Sequence, residues 1–287
     1  MLSARARDLV GWAGSGLSLI AIVFVMVKLK EYSGDLDVSL IKHLLRPLVA
    51  LSIVYGVANL IMVLSWKNIL QHLGVSVSTR WATGVYGTSQ LAKYIPGNIF
   101  HFLSRQAMGA EAGVPAMPLV KSTLWELGVF AIAGSLAILL VLPNLYQDQC
   151  SGLSIVLFVL VSVIAMWISQ RWFSRWVAHA LGWDILFLCV SGLVFVAVLS
   201  LFTTVPATAV ILIGGSYVLA WLAGLVTPGA PAGVGIREVV LLALLHPLVS
   251  EADLLPAVLA GRVVTVVGDF LFYLIALSSK QLKALSK

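Results

Sequence analysis

The sequence predicts an all-α polytopic membrane protein, an inverted-topology repeat with six full transmembrane helices plus two broken (re-entrant) helix pairs. Three observations lead there. Hydrophobic residues fill 60% of the 287 positions and charged ones only 10%, against roughly 25% charged in soluble domains. Six apolar stretches have close to the ~20 residues that a helix needs to cross hydrocarbon. Two further apolar segments are each interrupted by a Pro-Gly pair with an arginine nine residues after the proline: Pro96-Gly97 with Arg105, and Pro228-Gly229 with Arg237, 132 residues apart.

Taken in order, the full crossings are read at 9–27, 47–66, 117–142, 153–170, 185–204 and 256–278. Stretch 9–27 follows Arg5 and Arg7 as a secretory leader would, but it is long for a leader's apolar core and no A-x-A cleavage pattern follows, so it is read as a retained helix. Between 28 and 46 the Leu40, Ile41, Leu44 and Leu45 stripe predicts a helix lying on the outer surface. Segments 81–110 and 208–245 read as helix, break, helix, because proline removes a backbone donor and glycine tolerates conformations that end helices. Trp167, Trp172, Trp176 and Trp183 surround a loop holding Arg171 and Arg175 and read as an interfacial aromatic belt.

Aligning the elements pairs 9 with 153, 47 with 185, the two Pro-Gly breaks with each other, and 117 with 256. The chain divides into a first repeat, 1–145 with the re-entrant segment 81–110, and a second, 146–287 with the re-entrant segment 208–248. Three full crossings per half is an odd number, so the second half is inverted relative to the first. Arg5, Arg7, Lys67, Arg80, Arg171, Arg175, Lys280, Lys283 and Lys287 then fall on one side, which the positive-inside rule makes the cytoplasm, with both termini there in the cytoplasmic (inner) membrane. The same basic loops account for the net charge of +6 without a nucleic-acid partner. Cys150 in a loop and Cys189 in a helix make neither a disulfide nor a metal-ligand spacing.

Nine ionisable groups are expected in or at the edge of the apolar slab: Lys93, His101, Arg105, Lys121, Glu126, Arg237, Glu238, Arg262 and Asp269. One charge at a helix centre costs roughly 2.5–3.5 kcal/mol, so these groups need partners or water. His101 and Arg105 are four apart and share a helix face; Arg262 and Asp269 are seven apart and do likewise. Asn98 is placed to cap the helix after the first break. Arg237 falls in the first turn of the helix after the second, where Gly229, Gly233 and Gly235 permit positive φ. A helix N-terminus beside a guanidinium favours an anion, phosphate best of all. The candidate substrate-binding residues are therefore Lys93, Asn98, His101, Arg105, Arg237, Glu238 and Arg262, with Glu126 and Asp269 carrying a proton or balancing charge. Structural ion pairing across the repeat interface is the competing reading for the acids and for Arg105 and Arg237, and Lys121 is read as a snorkelling surface residue.

The stretches LAKYIPGNIFHFLSR (91–105) and TPGAPAGVGIRE (227–238) resemble the two signatures of the lysylphosphatidylglycerol synthase transmembrane-region family, whose best-known members carry the flippase half of multiple peptide resistance factors. The resemblance covers nearly the whole chain. It implies translocation of a lipid between leaflets, with Arg105, Arg237 and Glu238 at the matching positions. No soluble aminoacyl-transferase domain is found in the 287 residues, so the likeness is to a standalone member without the synthase domain. The Ala230-Pro231-Ala232 insert makes the second tip bulkier than the family's glycine-rich form. Standalone members look like partners of envelope-biosynthesis enzymes.

The resulting expectation is a flippase for an anionic, phosphate-containing lipid, such as a polyprenyl-phosphate-linked sugar or an (aminoacyl-)phospholipid. The alternatives are a secondary transporter of a soluble anion, and a non-transporting membrane subunit of an envelope glycolipid pathway. No G-x-x-x-x-G-K-[ST] motif provides for ATP, and no nucleophile–base or metal-binding acidic cluster provides for catalysis, so neither an enzyme nor a cofactor is expected.

Overall fold

The computed structural model describes residues 38–95, 99–146, 151–227, 235–246 and 248–279. Its elements are α1 (Val38–His72), α2 (Thr79–Gln90), a 3-10 turn (Leu91–Tyr94), α3 (Phe100–Glu111), α4 (Ala116–Ser135), α5 (Ile138–Tyr146), α6 (Ser151–Trp172), α7 (Arg175–Leu199), α8 (Val210–Val226), α9 (Ile236–Leu245) and α10 (Glu251–Ser279). A second 3-10 turn, Ala207–Ala209, leads into α8. Among the described residues, six helical stretches are long and apolar enough to cross a membrane: Leu44–His72, Ala116–Leu142, Gly152–Trp172, Arg175–Leu199, Ala207–Val226 and Glu251–Ser279. The chain is thus a multi-pass helical membrane protein.

Helix starts follow from local side-chain chemistry. Ser78 Oγ accepts from the Trp81 amide at 3.1 Å to open α2, and Ser174 Oγ accepts from the Val177 amide at 3.4 Å to open α7. At α9 no side chain caps; Gly235 stands at the cap position with φ +85°, a conformation that side chains with a Cβ rarely adopt.

The centre of the bundle is the α1–α7 pair, with α10 laid against α1 and α2, and α4 against α7. Backbone approaches closely where α1 crosses α10: a Cβ at Gly56 would stand 2.9 Å from the Gly268 carbonyl oxygen. Small residues permit such approaches between membrane helices, where burial from water supplies no driving force. Trp66, Trp81, Tyr86 and Phe187 fill the interior beside these contacts. α6 is peripheral, with only 11% of its most apolar window buried.

Several expectations are corrected. Residues 38–46 are the opening turns of α1, which runs on through Pro47, so the surface helix expected there is part of a crossing helix. The last apolar stretch of the first half is two helices, α4 and α5, with a turn at Leu136 and Ala137. α7 begins at Arg175, ten residues before the expected 185, so Arg171 and Arg175 flank a tight turn and Trp183 lies inside a helix. In segment 208–245, α8 is long enough to cross by itself, whereas α2 and α3 of the first broken segment have 12 residues each, about 18 Å. Stretch 9–27, both Pro-Gly pairs, Asn98, Gly233, Arg5, Arg7, Lys280, Lys283 and Lys287 lie outside the described residues.

One end of the bundle collects the basic residues. Lys67 Nζ donates to Thr79 Oγ1 at 2.8 Å, next to Arg80, and His72 Nδ1 lies 2.9 Å from Ser174 Oγ, next to Arg175. Lys121 is exposed one turn before Trp125, whose ring meets His72 edge-on at 4.8 Å. It therefore belongs to this surface and not to the interior.

Candidate functional site

The ion-paired residues of the interior form two clusters. In the first, Arg105 on α3 is 3% exposed and its Nη1 donates to Glu126 Oε2 on α4 at 2.5 Å. Tyr86 on α2 donates to the other carboxylate oxygen at 2.8 Å. The guanidinium lies over the Tyr86 ring at 3.8 Å and near the Trp66 ring at 5.2 Å, while Nε points at Ser89 Oγ, 3.4 Å away. Such a cation is neutralised by Glu126 and walled by aromatics, although its Nη2 has no hydrogen-bond partner among the described residues. His101 is buried on the same face of α3, as its spacing requires, and feels the charges of both Arg105 and Lys93. Ile99, with no side-chain bond, occupies the cap position of α3 that the sequence assigns to Asn98.

The second cluster joins residues that flank both breaks. Asp269 on α10 is fully buried; its Oδ2 accepts from Lys93 Nζ at 2.7 Å and from Tyr94 Oη at 2.5 Å, both in the turn just before the first break. Asn59 Nδ2 on α1 reaches Oδ1 at 3.4 Å, and the close crossing of Gly56 and Gly268 brings these two helices within that reach. In the first turn of α9, Glu238 Oε1 accepts from Arg262 Nε at 3.0 Å and Nη2 at 2.9 Å. Arg262 and Asp269 share a buried face of α10, as their spacing predicts.

Arg237, in the first turn of α9, is different. No described carboxylate lies within salt-bridge distance of it, and its Nε has no hydrogen-bond partner. Its guanidinium lies 5.5 Å from the Trp221 ring on α8. It is within electrostatic reach of Arg262, Lys93 and the hydroxyls of Tyr55, Tyr94 and Tyr217. Three cations, Lys93, Arg237 and Arg262, face two carboxylates, Asp269 and Glu238. Each carboxylate is spent on one of the other two cations, so the surplus charge rests on Arg237.

The sequence expectation that Arg105 and Arg237 act as a matched pair is therefore refined. Lys93, Arg237, Glu238, Arg262 and Asp269 come together; Arg105 and Glu126 form a separate ion pair. The neutral polar members, Asn59, Tyr55, Tyr94 and Tyr217, were not singled out in the sequence, although a lone asparagine amid an apolar stretch is a signal for one of them. Asp184, fully buried on α7, was also missed. Among the described residues no group of three or more His, Cys, Asp or Glu could hold a metal ion.

Compared with family models, curated proteins and solved structures, the chain matches none.

Proposed function

We propose that this protein is a lipid translocase that passes an anionic, phosphate-containing headgroup between leaflets while the tails stay in lipid. The observation that carries this reading is the uncompensated Arg237 guanidinium beside the second break, with Lys93 from the edge of the first break within its field. A phosphate oxygen cluster complements that charge, and the hydroxyls of Tyr55 and Tyr217 offer donors to it. Lys93, Arg237 and Arg262 contact the headgroup in this scheme. Asp269 and Glu238 hold two of these cations in place, and Arg105 with Glu126 braces the first broken segment.

The inverted repeat is part of the proposal and the packing supports it. Pairing α1 with α7, α2 with α8, α3 with α9 and α4 with α10, each contact has its counterpart: α1–α10 with α7–α4, α10–α2 with α4–α8, α1–α2 with α7–α8, α2–α3 with α8–α9, and α3–α4 with α9–α10. The α3–α4 and α9–α10 contacts each carry an ion pair, with charges exchanged: cation on α3 and anion on α4, anion on α9 and cation on α10. Broken segments that fold back on themselves suit the short α2, α3 and α9, since irregular backbone at membrane depth must be buried in protein or line a wet cavity. The basic end of the bundle is the cytoplasmic side. The likeness of 91–105 and 227–238 to flippase signatures points the same way.

The test is reconstitution of the full chain in vesicles. Fluorescent phosphatidylglycerol and a polyprenyl-phosphate sugar would each be followed by quencher access, with free phosphate uptake measured in parallel. Transfer of one of the lipids is expected. Phosphate uptake without lipid transfer would replace the reading with a soluble-anion transporter, and folded protein moving none of the three would leave a non-transporting subunit.

A further inference from the structure

Asp184 sits nine residues inside α7, about 14 Å along its axis, and its side chain is fully buried. Among the described residues, neither carboxylate oxygen has a hydrogen-bond partner and no cation lies within salt-bridge distance. The polar group facing it is the Ser65 hydroxyl on α1, which is 1% exposed and likewise without a bonded partner. The other buried carboxylates among the described residues each have a cation, Glu126 with Arg105 and Asp269 with Lys93, and the half-buried Glu238 has Arg262.

The neighbours cannot neutralise it. From α4, Glu126 brings a second negative charge to bear, already bonded to Arg105 of α3 and to Tyr86 of α2. Tyr86, whose own field includes Asp184, has its hydroxyl proton committed to Glu126. α1 offers Ser65 alone, and α6, α8 and α10 bring no charged group to bear on it. Two carboxyl groups thus act on each other in a buried site, and the one ion-paired cation beside them, Arg105, is bound to Glu126. An ionised carboxylate without a partner in such surroundings is strongly disfavoured, and a bound cation removes the penalty. Ser65 and Asp184 supply too few oxygens for a metal ion, whose sites take about six ligands when they bind oxygen alone. A proton needs one.

We propose that Asp184 is a proton-binding site, filled in this conformation and emptied when α1 and α7 part enough to admit water. It lies at the interface of the two halves whose relative movement would expose their contents to one side or the other. A lipid carrier working as proposed above would then be linked to the proton gradient through this residue and not through the ion-paired Glu126, Glu238 or Asp269. The site itself stands whether or not lipid is the cargo.

Infrared spectroscopy of the full chain in vesicles reads the site directly. At neutral pH the wild type should show the C=O stretch of a protonated carboxylic acid. The band should shift when aspartate is labelled with 13C at its carboxyl, vanish in Asp184→Asn and persist in Asp269→Asn. Should Asp184→Asn not fold, the labelled wild type still decides: an unshifted band, or none at neutral pH, overturns the proposal. A band that disappears when sodium replaces potassium overturns it as well, since a metal cation would then be the ligand.

Discussion

Replacing Arg105 by alanine separates a bracing ion pair from a substrate contact. The side chains of Arg105 and Glu126 are 3% and 6% exposed, and the pair is closed at 2.5 Å. Truncation leaves Glu126 with the Tyr86 hydroxyl as its one remaining partner. Removing one member of a buried pair costs about 3–5 kcal/mol, mostly as the penalty of the charge left behind. The aromatic wall adds to the loss, because the guanidinium packs on Tyr86 at 3.8 Å. Replacing both, as Arg105→Met with Glu126→Leu, removes the orphaned charge along with the pair, so the double variant should be the more stable one. A double-mutant cycle read by denaturant unfolding in micelles should give a coupling energy of about 2 kcal/mol or more, since the partners touch. Additive effects, or an Arg105→Ala protein as stable as wild type but inactive, would refute the bracing role and return Arg105 to the substrate site.

Lys93→Met leaves Asp269 buried with only Tyr94 and Asn59, and should destabilise toward the lower end of about 3–5 kcal/mol because Lys93 is 19% exposed; the same unfolding assay reads it. Asn59→Leu removes only a long bond of 3.4 Å to Asp269 and should cost about 0.6 kcal/mol, the mean for hydrogen bonds between membrane helices. Gly268→Leu is the harsher change. A Cβ there would stand 2.8 Å from the Ser52 carbonyl oxygen, so α1 and α10 must separate. Overpacking of this kind costs about 1–3 kcal/mol, and unfolding should show that loss together with reduced lipid transfer as Asn59 moves off Asp269.

What the sequence revealed depended on how far apart the relevant residues were. Spacing within one helix placed His101 with Arg105, and Arg262 with Asp269, on shared buried faces. The glycine before Ile236 marked the start of α9 and put Arg237 in its first turn. Pairings across the chain were hidden: nothing in the spacing shows that Glu126 neutralises Arg105, or that Lys93 reaches Asp269 across 176 residues. Those partners are chosen by how α3 meets α4 and how the 91–94 turn meets α10. Asp184 was hidden for a local reason. Tryptophans around 172–183 imitate an interface loop, while the signal that the helix starts earlier is one residue, the capping Ser174. Once α7 is extended back to Arg175, Asp184 moves from the membrane edge into the interior.

The measurement that bears most directly on the account is lipid transfer by Arg237→Gln in vesicles, beside its unfolding in micelles. Among the described residues Arg237 has no carboxylate partner, so the change strands no buried charge, and stability should match or exceed that of the wild type. Transfer should fall to the level of protein-free vesicles. A folded Arg237→Gln protein that moves the anionic lipid at the wild-type rate would contradict the claim that this guanidinium receives the headgroup.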